Sequence, residues 1–360
     1  MINYGTRLLV NRSNYRDVKV LEDSAPDVDS IQPGQVVLRL EKFAYTSNNT
    51  TYAVVGDIVG YWKFFPVSEE GHGIIPCWGF GEVITSKNEQ IATGTRYYGY
   101  FPMGSHLIVQ PDKISERGFT DIVSHRAALP VIYNQYTDCG HDPLYKKELE
   151  DFQAIFRPLF TTSFLIHDQF SQNGFYNSKQ IILTSASSKT ALGLAHCLKS
   201  EDITVIGLTS THNVEMVKLT GYYDQVYAYG ALDQIAAQPS SYVDFSGNHD
   251  LQLKLQKHLG AHLNEVCLVG VVHWEEREGQ EPLPKKGSFF FAPTYAAQRI
   301  KEMGHAAFGM ALAKKYGSFI SEASRWVKIK EHVGGAALAT LHGLMTDGKI
   351  DAKEGHIVRL

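Results

Sequence analysis

From residue 180 onward the sequence alternates short apolar runs with helix-patterned stretches, and that alternation leaves few architectures open. QIILTS (180–185), ITVIGLTS (203–210), QVYAY (225–229), SYVDFSG (241–247) and NEVCLVGVV (264–272) read as strands. SSKTALGLAHCLKS (187–200), NVEMVKLTGY (213–222), ALDQIAAQ (231–238) and LQLKLQKHLG (251–260) lie between them and read as helices. In the first of these Leu192, Ala195 and Leu198 share a face; in the second, Gly221 is a C-cap. Parallel strands need long crossovers, and units of roughly 20–30 residues supply them. The pattern predicts an α/β chain with a doubly wound parallel sheet.

The first 120 residues have another texture. VVLRLEKFAYT (36–46), GFGEVITS (79–86), TRYYGYFP (95–102) and SHLIVQPDKI (105–114) are strand-like, and no long amphipathic helix interrupts them. Residues 146–172 have helical spacing, with Phe152, Ile155 and Phe156 on one face; Pro158 is expected to open a second helix. The turn-rich YNQYTDCGHDPLY (133–145) reads as a loop or insertion. Helices follow around 293–317 and 333–346, and GHIVRL (355–360) reads as a strand returning to the first domain. The expected organisation is a β-rich domain over 1–130, completed by 320–360, and a parallel-sheet domain over 131–319.

Composition narrows the function classes. The net charge is −4, with 34 Lys and Arg against 38 Asp and Glu, so a nonspecific nucleic-acid partner is not expected. There is no stretch of about 18 apolar residues for a membrane span and no signal-type apolar core at the start. Cys77, Cys139, Cys197 and Cys267 are isolated, with no CxxC pair, and the 15 histidines form no HExxH. The expectation is a cytoplasmic protein with free, mostly buried thiols and no metal.

In a doubly wound sheet the ligand sits beyond the carboxyl ends of the strands, and the first strand-to-helix turn meets phosphate through unpaired N–H groups. Here that turn is TSASSKTALG (184–193). At GxxGxxG spacing stand Ser185, Ser188 and Ala191, all small. Ser187 and Ser188 offer hydroxyls, and Lys189 and Thr190 begin the helix. Two readings stay open: a phosphate cradle, or a serine N-cap beside a solvated lysine. After the second strand, where an acidic residue would take ribose hydroxyls, stand Thr209, Ser210 and His212. Nothing there repels a 2′-phosphate, which favours NADP(H) over NAD; a plain helix cap is the alternative.

These segments, in their order, resemble the medium-chain dehydrogenase/reductase superfamily, in particular its zinc-free, quinone-oxidoreductase-like members. GSHLIVQPDKI (104–114) is similar to the last strand of that family's GroES-like domain. RPLFTTSFLI (157–166), IILTSASSKTALGLA, VDFSGN (243–248), EVCLVGVV (265–272) and GHIVRL resemble its later motifs. The zinc-ligand pattern is broken: Thr46–Ser47–Asn48 lacks the cysteine, and Gly71–His72–Gly73 has the histidine without its glutamate, so His72 reads as a loop residue.

The resemblance implies a Rossmann cofactor domain beside a GroES-like substrate domain. It also implies hydride transfer from NADPH to a quinone, enone or other carbonyl-bearing small molecule, without zinc. Thr162, Ser246, Gly270 and Phe291 fall at family positions near the cofactor, Phe291 ending the sixth strand. SNNTTY (47–52) partly matches N-x-x-D-x-Y and makes Tyr52 the candidate proton donor; Tyr45 is the nearby alternative, and an interface aromatic the bland one. Trp62, Phe64 and Phe65 read as either substrate-pocket lining or core. Family precedent implies a homo-oligomer, a dimer favoured. The rival reading is a catalytically degenerate nucleotide-binding or sensor protein on the same fold.

Overall fold

The computed structural model describes residues 3–269 and 281–360. The chain divides into two compact units, one holding residues up to 155 together with 327–360, the other 156–326.

The first unit is built on a nine-stranded sheet and a three-stranded sheet. Val36–Tyr45 is its central strand, and seven of its ten residues are fully buried hydrophobics (Val36, Val37, Leu38, Leu40, Phe43, Ala44, Tyr45), which is why its sequence is nearly continuous in apolar residues. It pairs antiparallel with Pro76–Ser86 through two irregularities, at Val37/Leu38 and Leu40/Lys42. A Cβ on Gly79 would lie 2.2 Å from the Lys42 carbonyl oxygen, so only glycine fits opposite the second. GHIVRL does return: Glu354–Arg359 pairs antiparallel with Val36–Tyr45 and parallel with Lys328–Val333, the helix Gly335–Thr346 making the crossover. Together the units have the Rossmann and GroES-like architecture.

Several local expectations need correction. Residues 105–114 form two strands, His106–Val109 and Pro111–Ser115, which pair with different partners. The segment 133–145 is not a free loop. Gln135–Asp138 is a strand between Arg96–Pro102 and Gly118–Asp121, so the first unit runs to residue 155 rather than 130, and resumes at 327 rather than 320. Pro158 does not open a second helix, because Glu150–Gln172 is one helix with Pro158 inside it. The buried run Ala154, Ile155, Phe156, Leu159, Phe160 continues through the proline, and its burial outweighs the one lost backbone bond. His72 lies in the short strand His72–Gly73, paired with Asn11 and Val10, and not in a loop.

The second unit carries the parallel sheet: β1 (Gln180–Leu183), α1 (Lys189–Leu198), β2 (Thr204–Thr209), α2 (Val214–Thr220), β3 (Gln225–Ala228), β4 (Ser240–Asp244), α3 (His249–Leu259), β5 (Leu263–Leu268) and β6 (Ser288–Phe289). The strand order is β3-β2-β1-β4-β5-β6, the doubly wound order whose direction reverses between β1 and β4. The third crossover is not the expected helix 231–238 but a single 3₁₀ turn, Leu232–Gln234. Pro239 disfavours helix just before it, and Ile235 turns extended to bury with Ile182, Ile206 and Leu255. Helices Ala292–Met303 and His305–Ala323 follow, broken at Gly304. Among the described residues no helix is long and apolar enough to cross a membrane.

Candidate functional site

The reversal between β1 and β4 puts a crevice beyond their carboxyl ends, and the serine turn stands there. Ser185 adopts φ +47°, a left-handed conformation that glycine takes freely and serine rarely does. The turn therefore keeps the backbone shape of a glycine turn without the glycine. Its Oγ lies 3.4 Å from the Tyr229 hydroxyl. Ser188 is the N-cap of α1, accepting from the Ala191 N–H at 3.3 Å. That occupies one first-turn donor of the helix. Lys189 opens the helix, half-buried. The Thr190 carbonyl accepts from Ser163 Oγ at 2.7 Å.

At the end of β2, Thr209 is buried, and its hydroxyl donates to Ser187 Oγ at 3.3 Å. Ser210 caps the 3₁₀ turn Thr211–Asn213, with His212 Nε2 3.4 Å from its hydroxyl. The structure thus brings Ser185, Ser187, Thr209, Ser210 and His212 together around the β1 and β2 ends. Asn213 completes the group, donating to both Ser187 and Ser210.

The other side of the crevice is held by Asp244, fully buried at the end of β4. One carboxylate oxygen accepts from Thr184 Oγ1 at 2.6 Å and Ser246 Oγ at 2.7 Å, the other from the Gly247 N–H at 3.0 Å and Gln252 Nε2 at 2.9 Å. Thr184 in turn accepts from the backbone of Phe245 and Ser246. These bonds fasten the two strand ends on either side of the reversal. The Ser246 hydroxyl is spent inward on Asp244. Asp244 and Asn213 are the residues the motif reading missed. The signal available was an aspartate closing the strand SSYVD, and an asparagine three residues past Ser210.

Thr162 lies mid-helix and is not an N-cap; its hydroxyl bonds back to the Pro158 carbonyl at 3.3 Å. Phe291 follows β6, which ends at Phe289, and N-caps the next helix; it stacks against Phe289. Gly270 lies outside the described residues.

Tyr52 belongs to the first unit, on the helix Ser47–Val54. It is 6% exposed, ringed by Tyr61, Tyr100 and Trp78, whose indole N–H donates to its hydroxyl at 3.2 Å. Burial, and then neighbouring Tyr61, push its phenol pKa up, against the pull of the Trp78 bond. Tyr45 is committed elsewhere. His342 Nε2 faces the Tyr15 carbonyl at 2.5 Å and so carries the ring proton, leaving Nδ1 to accept from the Tyr45 hydroxyl at 2.6 Å. Trp62, Phe64 and Phe65 are core; Trp62 packs where a Cβ on Gly56 or Gly73 would stand. His72 Nδ1 bonds the Glu70 carbonyl. Among the described residues no three His, Cys, Asp or Glu side chains group to hold a metal.

A family model described as protein of unknown function (DUF2855) matches residues 43–351. The chain belongs to that family. No curated protein sequence matches this DUF2855 member. Among solved structures, CurA from Vibrio vulnificus in complex with NADPH matches it over 99% of both chains, with TM-score 0.58 and 10% identity. The yhdH oxidoreductase from Salmonella enterica in complex with NADP matches over 99% of both, at 0.53 and 11%. The quinone oxidoreductase from Coxiella burnetii also matches over 99% of both, at 0.52 and 14%. At these identities the likeness is one of fold, and it runs along the whole chain.

Proposed function

We propose that this DUF2855 member is an NADPH-dependent, zinc-independent oxidoreductase that passes hydride to a carbonyl-bearing small molecule of the quinone or enone type. The observation that carries this reading is the serine turn at the β1–β4 reversal, which keeps a left-handed residue at Ser185 where a phosphate-binding turn has glycine. Complexes of fold relatives with NADPH and NADP support it.

In this reading Ser187, Ser188, Lys189 and the first-turn N–H groups of α1 hold the pyrophosphate. Thr209, Ser210 and His212 receive the 2′-phosphate. Thr162, Ser246, Gly270 and Phe291 flank the dinucleotide, and Tyr52 orients or protonates the substrate. The bound dinucleotide supplies the hydride. Four free, buried thiols fit a cytoplasmic setting, and the protein acts as a homo-oligomer, most simply a dimer.

Thermal shift with NADPH and NADH at equal concentration tests the cofactor, since saturation a hundredfold above Kd stabilises by about 2.7 kcal/mol. The expected result is the larger shift with NADPH, followed by NADPH consumption with a panel of quinones and enones. A larger shift with NADH, or with neither, overturns the reading, and stoichiometric zinc surviving chelation overturns its metal-free part. The enclosure of Tyr52 favours a second reading, a protein that binds the dinucleotide without turnover. NADPH binding with no consumption on any acceptor would select it.

A further inference from the structure

Asn213 ends the short turn between β2 and α2. Its side-chain amide donates to Ser187 Oγ and to Ser210 Oγ, at 3.1 Å in each case. Ser187 lies in the turn after β1 and Ser210 at the end of β2, so one amide fork ties together the two turns on the carboxyl side of the sheet. Ser187 Oγ also accepts from Thr209 Oγ1 at 3.3 Å. A serine hydroxyl has two acceptor positions and one proton. With both acceptor positions filled from within the protein, the bond left to Ser187 is one that it donates. Ser187 is half-buried, as are Ser210 and Asn213, so the group is open on one side. A ligand that offers only acceptors, such as a phosphate, matches that remaining valence; one that needs an acceptor does not.

We infer that Asn213 is a specificity-determining positioning residue. It orients Ser187 as an outward donor and locks Ser210 to it, so that the 2′-phosphate end of the dinucleotide is recognised in register with the pyrophosphate end. The inference rests on the dinucleotide reading above and adds the residue that sets the choice between NADPH and NADH. It also explains why hydroxyls suffice where a basic residue would otherwise be wanted. The Ser187 proton is left for the ligand because the Asn213 amide and Thr209 Oγ1 fill its two acceptor positions.

The test is a calorimetric titration of NADPH and NADH into the wild-type chain and into Asn213→Ala, Asn213→Asp and Ser210→Ala. Asn213→Asp is nearly isosteric but presents acceptors to the two serines, drawing their protons inward. The expected result is an NADPH Kd raised about tenfold in Asn213→Ala with NADH changed less than about threefold, and the preference for NADPH erased in Asn213→Asp. Ser210→Ala, which removes the 2′-phosphate end of the fork, should lower the NADPH preference in the same direction, and it decides the matter if the Asn213 variants fail to fold. Equal weakening of both dinucleotides in the variants overturns the role of Asn213 and leaves the dinucleotide reading standing. A wild-type chain that binds neither dinucleotide overturns both.

Discussion

Glu150 offers a quantitative check on how the long helix is anchored. It is the first residue of the helix Glu150–Gln172, 7% exposed, and its carboxylate is met by three donors. Arg96 Nη1 reaches Oε1 at 2.7 Å, Lys42 Nζ reaches Oε2 at 2.9 Å, and the Tyr145 hydroxyl also donates to Oε1. Burial alone would raise the carboxyl pKa, but these donors outweigh it and hold the group down from 4.5 to about 2. At about 1.4 kcal/mol per tenfold change in proton affinity, that lowering is worth on the order of 3 kcal/mol of stability at neutral pH. The unfolded chain takes up the proton near pH 4.5 while the folded chain resists until about pH 2. The contribution is therefore fully present above pH 4.5 and is lost as pH falls toward 2. Glu150→Gln keeps the shape and removes the charge. Arg96 retains Glu41 and Lys42 retains Asp151, so neither cation is left unpaired and the cost stays near the lower end of the range for a broken buried pair, about 3 kcal/mol. Urea unfolding of both chains at pH 7, 5 and 3 should show that gap at pH 7 and pH 5 and a clearly smaller one at pH 3. A gap under about 1 kcal/mol at pH 7, or one that does not change with pH, would refute the assignment.

Two further outcomes concern the site. Lys189→Ala should weaken NADPH binding by about 1.5–3 kcal/mol, and a titration showing a change under about 0.3 kcal/mol would make Lys189 an ordinary helix residue. Tyr52→Phe keeps the ring packing and should lower turnover about tenfold or more, with cofactor affinity barely changed, if the phenol serves the reaction. Normal turnover on the best acceptor would leave Tyr52 as core.

The parallel sheet was legible because its strands are short, apolar and spaced by helix-length crossovers, a local signal that needs no knowledge of contacts. The serine turn was legible for the same reason. Pro158 was misread because the local rule against proline in a helix is overridden by burial on both sides of it, which only the folded chain displays. Gln135–Asp138 was misread because the tyrosines and turn formers of 133–145 look the same whether or not a neighbouring strand completes their hydrogen bonds. Asn213 and Asp244 escaped because their roles lie in side-chain bonds to other elements, Asn213 to Ser187 and Asp244 to Thr184. Nothing in the residues adjacent to them announces those partners.

The first unit is stitched from two distant stretches of chain. The Tyr45–His342 bond spans 297 positions, and Glu354–Arg359 must seat beside Val36–Tyr45 before that edge is covered. During synthesis the second unit, which is continuous, emerges in full while the first still waits for its closing strands. Val36–Arg39 can pair early with His106–Val109, but at roughly 5–20 residues per second Phe43–Tyr45 stay without their partner strand for on the order of tens of seconds. An uncovered apolar strand is a template for pairing with another chain. A chain that stops short of Glu354 should therefore accumulate as aggregate rather than as a soluble fragment.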